Sequence, residues 1–176
     1  NLFSDINGDM FLLNLTNTGN FNWAYRIGSN TFSEKILDLN IDIFGTIFAT
    51  GSFSGPTDFK LGTGSYILGS NGNEDVFMLA YHPSSNDFWA RKIGGTGSDF
   101  GVGIAFDNSL NVYVSGNFNS VVDFNPDANG TYNLYSLGSP DNFLMKLSQP
   151  ILLPIELTNF TTMCEDNKVK VEWQTA

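Results

Sequence analysis

Three strings in this chain, Asp9-Met10-Phe11-Leu12-Leu13, Asp75-Val76-Phe77-Met78-Leu79 and Asp141-Asn142-Phe143-Leu144-Met145, follow one another at a constant interval of 66 residues (75 − 9 and 141 − 75). Self-similarity on that scale marks a repeat architecture, in which a unit that cannot bury its apolar faces alone is stacked on copies of itself. The match extends well past the opening string. Trp23 pairs with Trp89, and Ile27-Gly28 with Ile93-Gly94. Ile47 to Phe53 pairs with Val112 to Phe118 after the loss of one residue in the loop that follows Gly94. Asp58-Phe59 matches Asp123-Phe124, and Tyr66 matches Tyr132.

Each copy reads as four short strands. Met10 to Leu15 (Val76 to Tyr81 in the second copy) is apolar on both faces, and Phe21 to Ile27 (Phe88 to Ile93) carries the Trp. In the third strand Leu37, Leu39 and Ile41 alternate with Asp38, Asn40 and Asp42, the period of two of a strand. Ile47 to Phe53 (Val112 to Phe118) is the fourth. No stretch of ten residues holds a 3.6 period, so no helix is predicted. Four-stranded sheets with apolar faces need neighbours on both sides, which radial stacking of blades supplies. Gly101 and Gly103 in a third strand would let an adjacent blade approach closely. The fold class is therefore all-β: an incomplete β-propeller over residues 1–148, comprising two blades and the first strand of a third. A linker over 149–154, marked by Pro150 and Pro154, leads into the start of a second β module at 155–176, a partial β-sandwich hairpin turning at Glu165-Asp166-Asn167-Lys168. Both ends of the chain read as cut from a longer protein.

Composition narrows the partners. The net charge is −10 with only 8 Lys and Arg, which argues against a nucleic acid or an anionic membrane surface. No apolar run reaches the length of a membrane span. Cys164 is the single cysteine, so the redox compartment is unreadable.

The strings Asp75-Val76-Phe77-Met78-Leu79, Phe88-Trp89-Ala90, Ile93-Gly94-Gly95 and Asn111-Val112-Tyr113-Val114-Ser115-Gly116, with Asp107 before the last, resemble the SBBP (bacterial β-propeller) repeat. Lys146-Leu147 supplies the Lys-Leu that closes that family's first strand, whereas Asn14-Leu15 and Ala80-Tyr81 depart from it, and Leu110 stands where the family has Gly. The resemblance spans about residues 5–148. It implies a propeller in a secreted or surface-exposed bacterial protein and no shared activity. The tail resembles the opening of the immunoglobulin- or fibronectin-like module that precedes type IX secretion signals.

Catalytic chemistry finds little support. The only histidine, His82, falls in the turn His82-Pro83-Ser84-Ser85-Asn86 and reads as a solvated turn residue, with no nucleophile elbow beside it. Asp9/Asp75/Asp141, Glu34/Asp99, Asp42/Asp107 and Asp58/Asp123 all recur with the repeat, as turn-fixing side chains do and a catalytic pair need not. Asp123, Asn125, Asp127 and Asn129, followed by Gly130, place oxygens at alternate positions like the first half of a calcium loop, but no bidentate Glu follows. An Asx-rich turn is the favoured alternative there. Gly94-Gly95-Thr96-Gly97 opens no helix, so a phosphate cradle fails on context. Trp23 and Trp89 read as packing residues before sugar platforms. No cofactor is implied beyond that possible calcium. The expected function is a non-enzymatic, secreted or cell-surface scaffold binding a glycan or protein ligand, its blades packed on those of the full-length chain. The alternative is the non-catalytic part of a carbohydrate-active enzyme.

Overall fold

The computed structural model describes residue 3, residues 7–127 and 129–148, and the backbone of two strands at 157–165 and 168–175. The first copy supplies β1 (Met10–Leu15), β2 (Phe21–Ile27), β3 (Glu34–Ile41), β4 (Ile47–Phe53), β5 (Pro56–Asp58) and β6 (Ile67–Gly69). The second supplies β7 (Asp75–His82), β8 (Asp87–Gly95), β9 (Phe100–Phe106), β10 (Val112–Phe118), β11 (Val121–Asp123) and β12 (Asn133–Tyr135). β13 (Asp141–Leu147), β14 (Leu157–Glu165) and β15 (Lys168–Thr175) follow. Every described element is a strand, and all the strand pairs are antiparallel.

The central sheet does not coincide with the sequence copy. It has six strands in the order β3-β4-β7-β8-β11-β12, and its first four join the second half of one copy to the first half of the next. β4 pairs with β7 from Ile47↔Tyr81 to Phe53↔Asp75 without a break. On either side lie a two-stranded sheet, β1-β2, and a three-stranded sheet, β9-β10-β13. Short hairpins link one sheet to the next. β11 adds to β8 at Gly94 and Gly95, and Asp58 bridges to Gly28 beside β2.

This offset explains why β7 is apolar on both faces. Phe77, Leu79 and Tyr81 belong to one core with Met10, Leu12, Phe53 and Phe59. Val76, Met78 and Ala80 belong to another with Ile104, Val112, Val114 and Phe118. The central sheet is sandwiched between its neighbours, and all eight residues of β7 are buried. Gly101 makes the close approach expected of it, because a Cβ there would lie 2.2 Å from Thr50 Oγ1 and 2.8 Å from Val76 Cγ1. At Gly103 a Cβ would meet Ser115 Oγ of its own sheet at 2.8 Å and Asp38 Oδ2 of the neighbouring sheet at 3.8 Å.

The third strand departs from the alternation read in the sequence. Leu39 and Ile41 are 40% and 54% exposed, although they pair across to the buried Ala49 and Ile47. The neighbouring sheet on that side, β1-β2, has only two strands among the described residues, against three in β9-β10-β13 on the other. One copy on, Ile104 is buried and Phe106 packs on Phe48, with centroids 5.7 Å apart. Asp38, on the opposite face, accepts a hydrogen bond from the Ile104 amide at 2.8 Å and ties β3 to β9.

β14 and β15 form the expected hairpin as a two-stranded sheet of their own, closing at Glu165↔Lys168. The linker at 149–154, residues 155 and 156, and the turn residues Asp166 and Asn167 lie outside the described residues.

Candidate functional site

The acidic residues that recur with the copies are the natural place to look for chemistry. Asp123 Oδ1 accepts the amides of Asn125 at 3.0 Å and Tyr132 at 2.8 Å. Asp58, one copy earlier, does the same with Lys60 at 3.0 Å and Tyr66 at 2.8 Å. Burial pushes the Asp58 carboxyl up, but the Tyr66 and Lys60 amides and the Ser65 hydroxyl outweigh it and hold it below its ordinary value. The turn clasp is thus retained in the first copy, where the alternating oxygens are not.

The remaining members of the calcium-like loop are also engaged. Asn125 Oδ1 accepts the Asp127 amide at 3.1 Å, and Asn125 Nδ2 donates to the Asn129 carbonyl at 3.4 Å. Asp127 forms an ion pair with Arg91. Among the described residues, no three His, Cys, Asp or Glu side chains gather in a way that could hold a metal ion. Asp123 and Asn125 thus form an Asx-type turn network, to which Asn129 contributes its backbone carbonyl.

Asp42 and Asp107 close equivalent turns. Asp42 Oδ1 accepts the amides of Phe44 and Thr46, at 2.9 and 2.8 Å. Asp107 Oδ1 accepts those of Ser109 and Asn111, both at 2.9 Å. Hydrogen bonds, led by the Asn111 side chain, hold the Asp107 carboxyl down at about 2.

Asp9 and Asp75 sit at the strand starts, each packed on a glycine. A Cβ at Gly28 would lie 2.1 Å from Asp9 Oδ1, and one at Gly94 would lie 2.1 Å from Asp75 Cγ. The recurrent Asp-x-Phe and Ile-Gly strings are therefore two halves of one contact. A basic residue accompanies each: Arg26 pairs with Asp9 at 2.8 Å, and Lys92 lies 3.8 Å from Asp75. Asp75 is fully buried, and only its Oδ2 receives a close hydrogen bond, from the Asn71 amide at 2.8 Å. Burial, above all, pushes its carboxyl up to about 6. Asp99 is also fully buried and raised by burial, against the opposing hydrogen bonds of the Asn119 and Gly95 amides. Its counterpart Glu34 accepts from Thr57 Oγ1 at 2.9 Å. Asp141 is exposed.

His82 corrects the sequence reading. It is only 4% exposed. Its Nε2 lies 3.1 Å from the Phe44 carbonyl, and its Nδ1 lies 3.1 Å from Ser85 Oγ and 3.4 Å from the Ser85 amide. A carbonyl only accepts, so Nε2 carries the proton and Nδ1 accepts from Ser85. The ring links the turn after β3 to the turn after β7. Ser85 is the hydroxyl the sequence did not place beside His82. The only signal for it was its position three residues on in the same turn. Nε2 faces a backbone carbonyl where a triad would need a carboxylate.

Trp23 and Trp89 pack. Trp23 stacks on Tyr25 with centroids 5.2 Å apart and meets Tyr81 edge-on at 5.9 Å. Trp89 lies against the second core. Gly95 and Gly97 admit the backbone carbonyls of Val121 and Asn119, 1.9 and 2.6 Å from where a Cβ would stand. That glycine run serves chain packing.

Comparison with known proteins agrees with this reading of the fold. The β-propeller repeat family model SBBP matches residues 89–120, from Trp89 through β9 and β10. The chain is 28% identical over 152 residues to an uncharacterized WD repeat-containing protein of Acanthamoeba polyphaga mimivirus, an alignment covering 73% of this chain and 11% of the relative. The chain thus corresponds to about a ninth of that protein's length. No solved structure matches. The chain is an all-β protein carrying a β-propeller repeat.

Proposed function

We propose that this chain is a non-enzymatic scaffold, displayed outside a bacterial cell, whose repeated sheets present turns for binding a glycan or a protein ligand. One observation carries the reading. The recurrent acidic side chains at Asp42/Asp107 and Asp58/Asp123 are each engaged with their own turn amides in both copies. Carboxylates committed to turns build loops of fixed shape, which is what a recognition surface requires. The match to a β-propeller repeat supports the scaffold, and the resemblance of the repeats to bacterial surface proteins motivates the location.

The test is calorimetry paired with product analysis on a panel of soluble and insoluble polysaccharides and surface proteins. Binding heat without release of reducing ends or peptides is the expected result. Turnover by the purified chain would overturn the scaffold reading in favour of a carbohydrate-active enzyme.

A further inference from the structure

Three Asn-Gly steps occur in the described part of the chain, Asn7-Gly8, Asn71-Gly72 and Asn129-Gly130. Glycine after asparagine leaves the next backbone nitrogen sterically open to the asparagine carboxamide. The three steps share this chemistry, and the structure separates them.

Asn71 is exposed but held by three hydrogen bonds. Its amide donates to Asp75 Oδ2 at 2.8 Å, its Oδ1 accepts from Lys92 Nζ at 2.6 Å, and its Nδ2 donates to the Gly94 carbonyl at 3.4 Å. Gly72 is wedged against the neighbouring turn, where a Cβ would lie 2.5 Å from the Thr96 carbonyl carbon. Asn7 Nδ2 donates to the Thr31 carbonyl. All three asparagines and the glycines after them are exposed, and Gly8 and Gly130 both hold a positive φ, so Asn129 differs from the other two in its side-chain contacts. Its backbone carbonyl accepts from Asn125 Nδ2, but its carboxamide makes no hydrogen bond among the described residues.

We propose that Asn129 is a site of spontaneous deamidation, in which the Gly130 nitrogen closes on the Asn129 side chain while Asn71 and Asn7 stay protected by their contacts. The Gly130 nitrogen attacks Asn129 Cγ, and a new C–N bond forms. The bond to the carboxamide nitrogen breaks, and ammonia leaves with the proton lost from the Gly130 amide. Water then opens the five-membered imide at either carbonyl, giving aspartate or isoaspartate. No oxidant or reductant is required. Either product adds a negative charge beside Asp123 and Asp127. Isoaspartate also lengthens the backbone just before Tyr132, whose amide is held by Asp123.

The experiment incubates the chain in mildly alkaline buffer, folded and in denaturant. Peptide mapping by mass spectrometry and isoaspartyl methyltransferase labelling then follow each Asn-Gly step. A residue that must open locally before reacting is slowed by the population of the open form. In the folded chain Asn129 is expected to deamidate roughly tenfold faster than Asn71, and the three rates are expected to converge in denaturant. Lys92→Met is expected to speed Asn71 relative to Asn7. Equal rates in the folded chain, or a lead for Asn129 that persists undiminished in denaturant, would overturn the proposal.

Discussion

Leu110 holds the left-handed backbone position, φ 59°, that Gly45 holds at φ 84° one copy earlier. Both residues follow an aspartate whose carboxylate closes the turn, Asp107 and Asp42, and both donate their amide to that aspartate's carbonyl, at 2.9 and 3.1 Å. The turn is the same and the side chain differs. Left-handed backbone disfavours a residue with a Cβ by about 1–2 kcal/mol, so Leu110 stores strain that Gly45 does not. Leu110→Gly is expected to raise stability by about 1 kcal/mol, allowing for the greater freedom glycine gives the unfolded chain. The denaturant midpoint checks it, and a lower midpoint would show that the half-buried leucine side chain contributes more than the strain.

Phe77 and Phe11 are equivalent in sequence and opposite in environment. Phe77 is fully buried against Phe59, with centroids 5.2 Å apart, whereas Phe11 is 61% exposed. Phe77→Ala removes a fully buried ring and is expected to cost about 3–5 kcal/mol. Phe11→Ala in the same chain is expected to stay within about 0.5 kcal/mol. Similar losses for the two variants in parallel unfolding curves would contradict the arrangement of the cores.

The buried Asp75 predicts a pH dependence. Its carboxyl is raised above the ordinary 3.8 to about 6, so the folded state takes up a proton more readily than the unfolded chain. The stability this contributes is complete below the ordinary value and lost as pH rises through about 6. Acidification from pH 8 to pH 5 should therefore raise the melting temperature, with Asp99 adding in the same direction. Asp75→Asn should flatten the profile and gain most at the alkaline end. A profile that rises with pH in the wild type would refute the assignment.

The burial of His82 makes its removal costly. His82→Ala leaves the Phe44 carbonyl without the ring that spans the two turns, and an interior polar group losing its partner costs about 1–3 kcal/mol. Hydrogen exchange localises the effect. The Phe44 and Thr46 amides, which donate to Asp42, are expected to lose protection before those of β10.

The strands with unbroken apolar character were legible residue by residue. The expected ranges at Met10–Leu15, Phe21–Ile27, Ile47–Phe53 and Val112–Phe118 are the strands found. β5, β6, β11 and β12 were not read, because three residues such as Pro56-Thr57-Asp58 are too few to display a period. The assignment of strands to sheets was hidden for another reason. β4 and β7 pair across the whole β5-β6 excursion, and pairing at that distance leaves no local pattern. His82 shows the same limit at the level of one side chain, since its partner carbonyl on Phe44 is 38 residues away in sequence. The turn aspartates were legible, because they act within a few residues of themselves.

The half-copy offset between sequence unit and sheet bears on how such a chain can change length. A duplication or deletion of one whole copy, at any starting point, joins a β4-like strand to a β7-like strand with the register that Ile47↔Tyr81 and Val112↔Leu147 already share. No sheet is left with a seam, because every junction between copies lies inside a sheet built to accept either neighbour. Recombination in whole copies therefore keeps the register of the strand pair at each junction, whichever copies are joined.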